Sequence, residues 1–380
     1  MPSVPSVDPF RIHVSDEVLA DLRRRLSNTR WPEAECVEDW SQGIPLAYTR
    51  ELAEYWANDY DWRTREAALN RFEQFVTEID GLAIHFIHQR SPHPDALPLV
   101  ITHGWPGSVV EFQKVVEPLT DPTRYGGDAR DAFHVVCPSL PGFGFSGRPS
   151  ATGWNTDRVA RAWDTLMGRL GYDRYGAQGG DWGAAVTTDI GRNVGGCVAI
   201  HTNMPLAAPP PGVLDDPTPA DEIALAAMKY YRDHDSGYYK QQATRPQTLG
   251  YGLVDSPVAQ LAWIVEKFWS WTDCDGHPEN AISRDELLDD VTLYWVTGTG
   301  ASSARFYWER AHSPDSGARV ELPTGIAAFP KEITRPPRAW CEPRYHITHW
   351  TDMPRGGHFA AFEQPRLYVD DVRAFFATVR

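Results

Sequence analysis

Five residues constrain this chain more than any others. They are Gly179-Gly180-Asp181-Trp182-Gly183, set between the short strand-like run Tyr175 to Gln178 and the helix-like run Ala184 to Ile190. Small residues on both sides of a nucleophile-type residue suit a crowded, strained strand-to-helix turn, where a neighbouring Cβ has no room. The tip residue is aspartate, where such elbows usually carry serine. A carboxylate attacking an acyl carbon would only make an anhydride, whereas at an sp³ carbon it can displace a leaving group and form an alkyl ester. A serine esterase is therefore excluded at this position. The plainer reading is a helix N-cap, because aspartate before a helix satisfies its free N–H groups. On these five residues alone, both readings stand.

The flanking pattern implies an α/β class with a mostly parallel central sheet. Strand-like runs at Leu97 to Thr102, Ala132 to Pro138, Cys197 to Thr202, Thr324 to Phe329 and Tyr345 to His349 alternate with helix-like ones. The helices are expected from near Ser108, over Asn155 to Leu170 (with Val159, Trp163, Leu166 and Leu170 on one face) and over Gln364 to Val379. The alternation breaks after Met204. A proline-rich stretch, Pro205 to Pro219, leads into a helical, aromatic segment from Asp221 to about Arg310, which reads as a lid. Before the alternation, Ser15 to about Asn70 is helical: Val18, Leu19, Leu22 and Leu26 recur at helix spacing, and further helices are expected near Tyr48 to Trp56 and Arg65 to Phe75. Asp80-Gly81 between two strand-like runs within Gln74 to Gln89 predicts a hairpin. The organisation expected is a helical leader over 1–72, core over 73–205, lid over 206–311 and core again over 312–380.

Composition narrows the function classes. The 380 residues are 42% hydrophobic, enough for a sizeable core, and carry 36 Lys+Arg against 51 Asp+Glu, a net charge of −15. Such a surface repels phosphate backbones and anionic lipid, so neither nucleic acid nor a membrane surface is the expected partner. No apolar run approaches the roughly 18 residues of a spanning helix. The N-terminus has no signal-peptide pattern, and the 5 cysteines show no C-x-x-C spacing. A cytoplasmic protein with reduced thiols is expected; homo-oligomerisation is left open.

Two further strings sit at expected strand ends. His103-Gly104-Trp105-Pro106-Gly107-Ser108 follows the run Leu97 to Thr102, where a loop can supply one N–H of an oxyanion hole. The backbone amides of Trp105 and Trp182 are the candidates; a proline-containing turn is the plain alternative. Arg355-Gly356-Gly357-His358-Phe359 lies between the last strand and last helix and holds the late histidine. The acid between nucleophile and histidine is expected after Thr324 to Phe329, which points to Glu332; Asp352, six positions before His358, is the other candidate. His85/His88 and His346/His349 have spacings that could suggest a metal. Residues three apart on a strand face opposite sides, so each reads better as a satisfied or exposed side chain.

The chain resembles epoxide hydrolases of the microsomal and juvenile-hormone type, over nearly its whole length. The strings His103 to Ser108, Gly179 to Gly183 and Arg355 to Ala361 carry the resemblance in the core. Pro9-Phe10, Arg30-Trp31-Pro32, Tyr60-Asp61-Trp62-Arg63 and Phe75 to Gly81 carry it in the leader. It implies an α/β-hydrolase fold, with the order nucleophile, acid, histidine met by Asp181, Glu332 and His358. It also implies two lid tyrosines on the epoxide oxygen: Ser236-Gly237-Tyr238 and Arg305-Phe306-Tyr307 match those strings. No metal or organic cofactor is implied, and the partners are an epoxide and water. The membrane anchor of the microsomal members is not seen ahead of the leader. Three expectations compete: an epoxide hydrolase, a haloalkane dehalogenase with halide-binding N–H donors in place of the tyrosines, and a non-catalytic binder of apolar ligands. Many of the 15 tryptophans fall in the lid or near the elbow, so a bulky apolar or aryl epoxide is the expected substrate. Detoxification and natural-product (antibiotic) biosynthesis are the roles considered.

Overall fold

The computed structural model describes residues 6–313 and 317–380. The leader opens with strand β1 (Asp8–Phe10), unanticipated from sequence, and helices α1 (Asp16–Ser27), α2 (Leu46–Asn58) and α3 (Trp62–Leu69). α3 stops well short of Phe75, because Gln74 already belongs to strand β2 (Gln74–Ile79). Val18 lies on the solvent side of α1, while Leu19, Leu22 and Leu26 make the buried face. β2 turns into β3 (Leu82–Gln89) through Asp80 and Gly81, at φ 52° and 77°, the left-handed pair that a two-residue hairpin needs.

Alternating strands and helices follow. They are β4 (Leu97–Thr102), α4 (Val116–Thr120), β5 (Phe133–Pro138), α5 (Thr156–Arg169), β6 (Tyr175–Gly179), α6 (Trp182–Asn193) and β7 (Cys197–Thr202). The helix expected from Ser108 is a 3-10 turn at Val109–Phe112, capped by the Ser108 hydroxyl, followed by the one-turn α4. α5 is capped by the Asn155 side chain, which accepts from the Arg158 amide at 3.0 Å. The helical insertion comprises α7 (Pro219–Tyr230), α8 (Gly237–Thr244), α9 (Pro246–Asp255), α10 (Pro257–Trp271), α11 (Arg284–Thr297) and α12 (Gly300–Ala311). A π-helical turn, Tyr231–Asp235, joins α7 to α8. The chain then returns through β8 (Val320–Ala328), α13 (Arg338–Cys341), β9 (Tyr345–Asp352), α14 (Ala360–Glu363) and α15 (Pro365–Phe376).

The strands of the described residues form one sheet in the order β1-β2-β3-β5-β4-β6-β7-β8-β9. It is antiparallel as far as the β3–β5 pair and parallel from β5 to β9. Strands covered on both faces need apolar residues on both, and alternate residues divide accordingly. Val100, Val136, Ala177 and Ile200 pack with Trp163 and Leu166 of α5 and Val186 and Ile190 of α6. Leu99, Ile101, Val135, Cys137 and Ala199 face Val116 and Leu119 of α4 and Val372 and Phe375 of α15. The leader helices grip the insertion through polar bonds as well as apolar contact. Trp56 Nε1 donates to Thr292 Oγ1 at 2.9 Å, and Arg65 Nε and the Tyr60 hydroxyl both donate to Asp289, at 2.7 and 2.9 Å.

The paired histidines are satisfied within the fold. His85 bonds Ser139 and Gln74, His88 bonds Tyr172, and His349 bonds Asp371, while His346 is exposed. Among the described residues no helix is long and apolar enough to cross a membrane. From β4 the chain goes to β5 on one side and comes back to β6 on the other. That reversal leaves a crevice outside the carboxyl ends of β4 and β6, the usual ligand position in open α/β sheets.

Candidate active site

Asp181 stands in that crevice, between β6 and α6. Its backbone is at φ 49° and ψ −125°, a strained conformation for a residue with a Cβ. Crowding holds it there. A Cβ on Gly183 would lie 1.9 Å from the Thr102 carbonyl oxygen, and one on Gly104 would lie 2.2 Å from the Asp181 Cβ. The side chain does not cap α6. It points instead to the loop after β4, where the Trp105 amide donates to Oδ1 at 2.7 Å. The Trp182 amide, the other expected donor, makes no bond to the carboxylate in this geometry. The positive end of α6 still lies behind it and favours the anion.

The loop holding the Trp105 amide is braced from the insertion. Ser108 Oγ donates to the buried Asp290 of α11 at 2.6 Å, and the Tyr294 hydroxyl donates to the Gly107 carbonyl at 2.8 Å. The Trp105–Pro106 peptide is cis.

The loop after β9 brings His358 to the opposite side of Asp181, with Nε2 3.4 Å from Oδ2. Its Nδ1 meets Glu332 Oε1 at 2.6 Å, and the same oxygen accepts from the Ile333 amide at 2.7 Å. Of the two acids considered from sequence, it is Glu332 that the fold brings to the histidine. Asp352 is exposed at the end of β9 and accepts from the Trp350 indole. Burial works against a charged His358, but Glu332 and then Asp181 outweigh it and hold the imidazole well above its ordinary pKa.

Tyr238 at the start of α8 and Tyr307 on α12 converge above the carboxylate, their rings 5.7 Å apart. Tyr238 stacks on Trp105 at 5.0 Å, and Tyr307 stands edge-on to Trp182 at 4.7 Å. The Tyr307 hydroxyl is buried close to the Trp182 indole and the Tyr238 hydroxyl but is bonded to neither. Burial first, then neighbouring tyrosines and the Asp181 charge, push both hydroxyls well above the ordinary tyrosine pKa, so both are donors. Phe306, Tyr239 and Trp271 extend the aromatic wall.

Sequence reasoning missed several groups that the fold assembles here. The Tyr231 hydroxyl lies 3.0 Å from that of Tyr238, brought there by the π-turn. Asp235 of the same turn accepts from Lys267 Nζ and Trp271 Nε1, both at 2.6 Å, tying α10 beneath Tyr238. Lys267, a cation among the aromatics of α10, was the one readable signal of that pair; Tyr231 had none. Gln178 and Asn203 line the floor, joined Nε2 to Oδ1 at 3.1 Å.

A carboxylate with one oxygen on an amide, the other facing a paired histidine, and two phenol donors opposite can open a strained ether and then hydrolyse the resulting ester. Comparison with known proteins finds epoxide hydrolases over nearly the whole chain. Residues 7–112 match the family model described as epoxide hydrolase N terminus, and residues 98–242 the alpha/beta hydrolase fold. The chain is 54% identical over 376 residues to a Stigmatella aurantiaca protein named "Putative epoxide hydrolase", covering 98% of this chain and 86% of that one. It is 38% identical to Epoxide hydrolase 1 of Sus scrofa, over 97% of this chain and 88% of that one. The solved structure of Aspergillus niger epoxide hydrolase superposes with a TM-score of 0.90 at 34% identity, covering 99% of this chain and 97% of that one.

Proposed function

The chain belongs to the epoxide hydrolases of the microsomal and juvenile-hormone type, and on that premise we propose that it opens a bulky apolar or aryl epoxide to a vicinal diol through an ester on Asp181. The observation that carries the reading is the division of the Asp181 carboxylate: Oδ1 is held by the Trp105 amide, leaving Oδ2 to attack. Tyr238 and Tyr307 hydrogen-bond the epoxide oxygen, and one transfers its proton as the C–O bond breaks and the Asp181 ester forms.

Esterification removes the Asp181 charge that helped hold the His358 proton, so the imidazole releases that proton to solvent and regains one when the carboxylate is restored at the end of the cycle. The imidazole then becomes a better base just when one is needed. His358, oriented by Glu332, takes a proton from water as its oxygen attacks the ester carbon. The oxyanion forms on Oδ1, on the Trp105 amide, with the Trp182 amide as second donor. Collapse releases the diol oxygen, which takes the His358 proton. The proton left on Asp181 returns to the tyrosinate. Water has supplied one carboxylate oxygen, and the diol has left with the original Oδ2.

The aromatic wall of Trp105, Trp271, Tyr239 and Phe306 supports an apolar, bulky substrate. Such an activity suits removal of reactive epoxides, or tailoring of one in natural-product (antibiotic) biosynthesis. Broad tolerance across aryl epoxides would favour the first; steep preference for one scaffold would favour the second.

The test is single-turnover hydrolysis of styrene oxide in ¹⁸O-water with excess enzyme, followed by mass spectrometry of the Asp181 peptide. Label in Asp181 and an unlabelled first diol support the ester route. Labelled diol with unlabelled Asp181 would mean direct water attack and overturn it.

A further inference from the structure

Behind the Asp181 carboxylate is a cavity of about 20 Å³. That is enough for one water, which needs roughly 10–15 Å³. Asp181, His358, Gly180, Gln178, Asn203 and Glu111 line it. On the reading above, water must attack from this space, since it is bounded by both the ester-bearing carboxyl and the base.

The polar walls are not equivalent. Gln178 Oε1 accepts from the Tyr368 hydroxyl at 2.5 Å and its amide donates to Asn203; Asn203 Nδ2 faces the His358 carbonyl at 3.4 Å. Those groups are committed to one another. Glu111, on the 3-10 turn after the Trp105 loop, is buried, and its carboxyl takes a backbone hydrogen bond from Ser108 but, among the described residues, none from a side chain. The loop is shaped to admit it: a Cβ on Gly107 would lie 1.6 Å from Glu111 Oε1.

A buried carboxyl without a counter-ion is costly when charged. Desolvation first, and then Asp290, hold Glu111 well above the ordinary carboxyl pKa despite the Ser108 backbone bond, so it stands as a neutral acid with acceptor capacity left beyond that one bond. Water aimed at the Asp181 ester gives one hydrogen to His358 Nε2, and its second hydrogen needs an acceptor if its lone pair is to face the carbon.

We infer that Glu111 is a positioning residue for the hydrolytic water: its carboxyl accepts the water's second hydrogen in the small cavity and so orients it for attack on the Asp181 ester. The inference rests on the ester route of the proposed function. Its role is confined to the second half-reaction, because ring opening uses no water.

The test follows both half-reactions with styrene oxide by rapid quench and intact-protein mass spectrometry, in the wild type, Glu111→Gln and Glu111→Met. Met fills the volume but cannot accept the bond; Gln restores a neutral acceptor. Expected for Glu111→Met is ester formation within about threefold of wild type, ester hydrolysis slowed about 30-fold, and adduct accumulating. kcat and KM then fall together while kcat/KM holds. Glu111→Gln is expected within about fivefold of wild type in both steps. Hydrolysis as fast as wild type in Glu111→Met would overturn the inference, as would loss of kcat/KM in a folded variant or failure of Gln to restore the rate. If Glu111→Met does not fold, Glu111→Ala carries the same readouts. No adduct in the wild type would overturn the ester route itself, and the inference with it.

Discussion

Replacing Glu332 with Gln tests how the His358 pair divides its work between the two half-reactions. Both side chains are almost fully buried, and Glu332 Oε1 lies 2.6 Å from Nδ1. Gln can keep a neutral hydrogen bond there, but its charge is gone, so an imidazolium formed in the second step is left in a low-dielectric site without its partner. Breaking a buried pair costs about 3–5 kcal/mol, and the retained neutral bond recovers about 1. A net loss of about 3 kcal/mol, at 1.36 kcal/mol per decade, slows ester hydrolysis by about 150-fold. Ring opening by Asp181 creates no new charge on His358, so it is expected to change by less than about threefold. Stopped-flow tryptophan fluorescence and quenched-flow mass spectrometry separate the two rates.

The pH dependence provides a second readout. Glu332 raises the His358 pKa, so its removal lowers it, and the acid limb of ester hydrolysis moves to lower pH even as the plateau falls. Because the folded pKa exceeds the unfolded value of about 6.5, the pair's contribution to stability is fully present below that pH and is lost as pH rises through the folded value. Glu332→Gln should therefore depress the melting temperature more at pH 6 than at pH 9. Equal slowing of both half-reactions, or an unmoved acid limb, would refute this assignment of Glu332.

Three other substitutions probe the surrounding structure. Gly183→Ala places a methyl 1.9 Å from the Thr102 carbonyl oxygen; the elbow must shift, and ring opening should fall about 100-fold or more with the far-UV spectrum retained. Tyr231→Phe removes the hydroxyl 3.0 Å from that of Tyr238, and ring opening should slow about 5–10-fold while ester hydrolysis, timed on the isolated adduct, is unchanged. Glu363, beside the His358 loop, is pushed up to about 7 by burial, so it holds a proton that the unfolded chain releases above about 4.5, and stability falls between those values. Glu363→Gln should remove about 3 kcal/mol of that slope, flattening the melting temperature between pH 5 and 8.

Elements with a local cause were legible from residue order. Leu97 to Thr102 and Cys197 to Thr202 read correctly to the residue because a strand covered on both faces needs a continuous apolar run. Asp80-Gly81 specified its hairpin by requiring two positive φ angles, and the glycines around Asp181 disclosed an elbow that no ordinary turn requires. Where local signals competed, sequence reading was less exact. The helical period running toward Phe75 yielded to pairing of β2 with β3, and Val18 shares a spacing, but not a face, with the buried leucines. Partnership, by contrast, was settled by the fold. Glu332 and Asp352 both precede His358 by a short stretch of chain, yet the ends of β8 and β9 place only the first at the imidazole. Tyr231 meets Tyr238 because a π-turn rotates the lid helix, and Glu111 reaches the space behind Asp181 because Gly107 leaves room for it. Such contacts join residues distant in sequence, or on opposite sides of a turn, and their energies depend on burial. Neither spacing nor burial of that kind is carried by residue type alone.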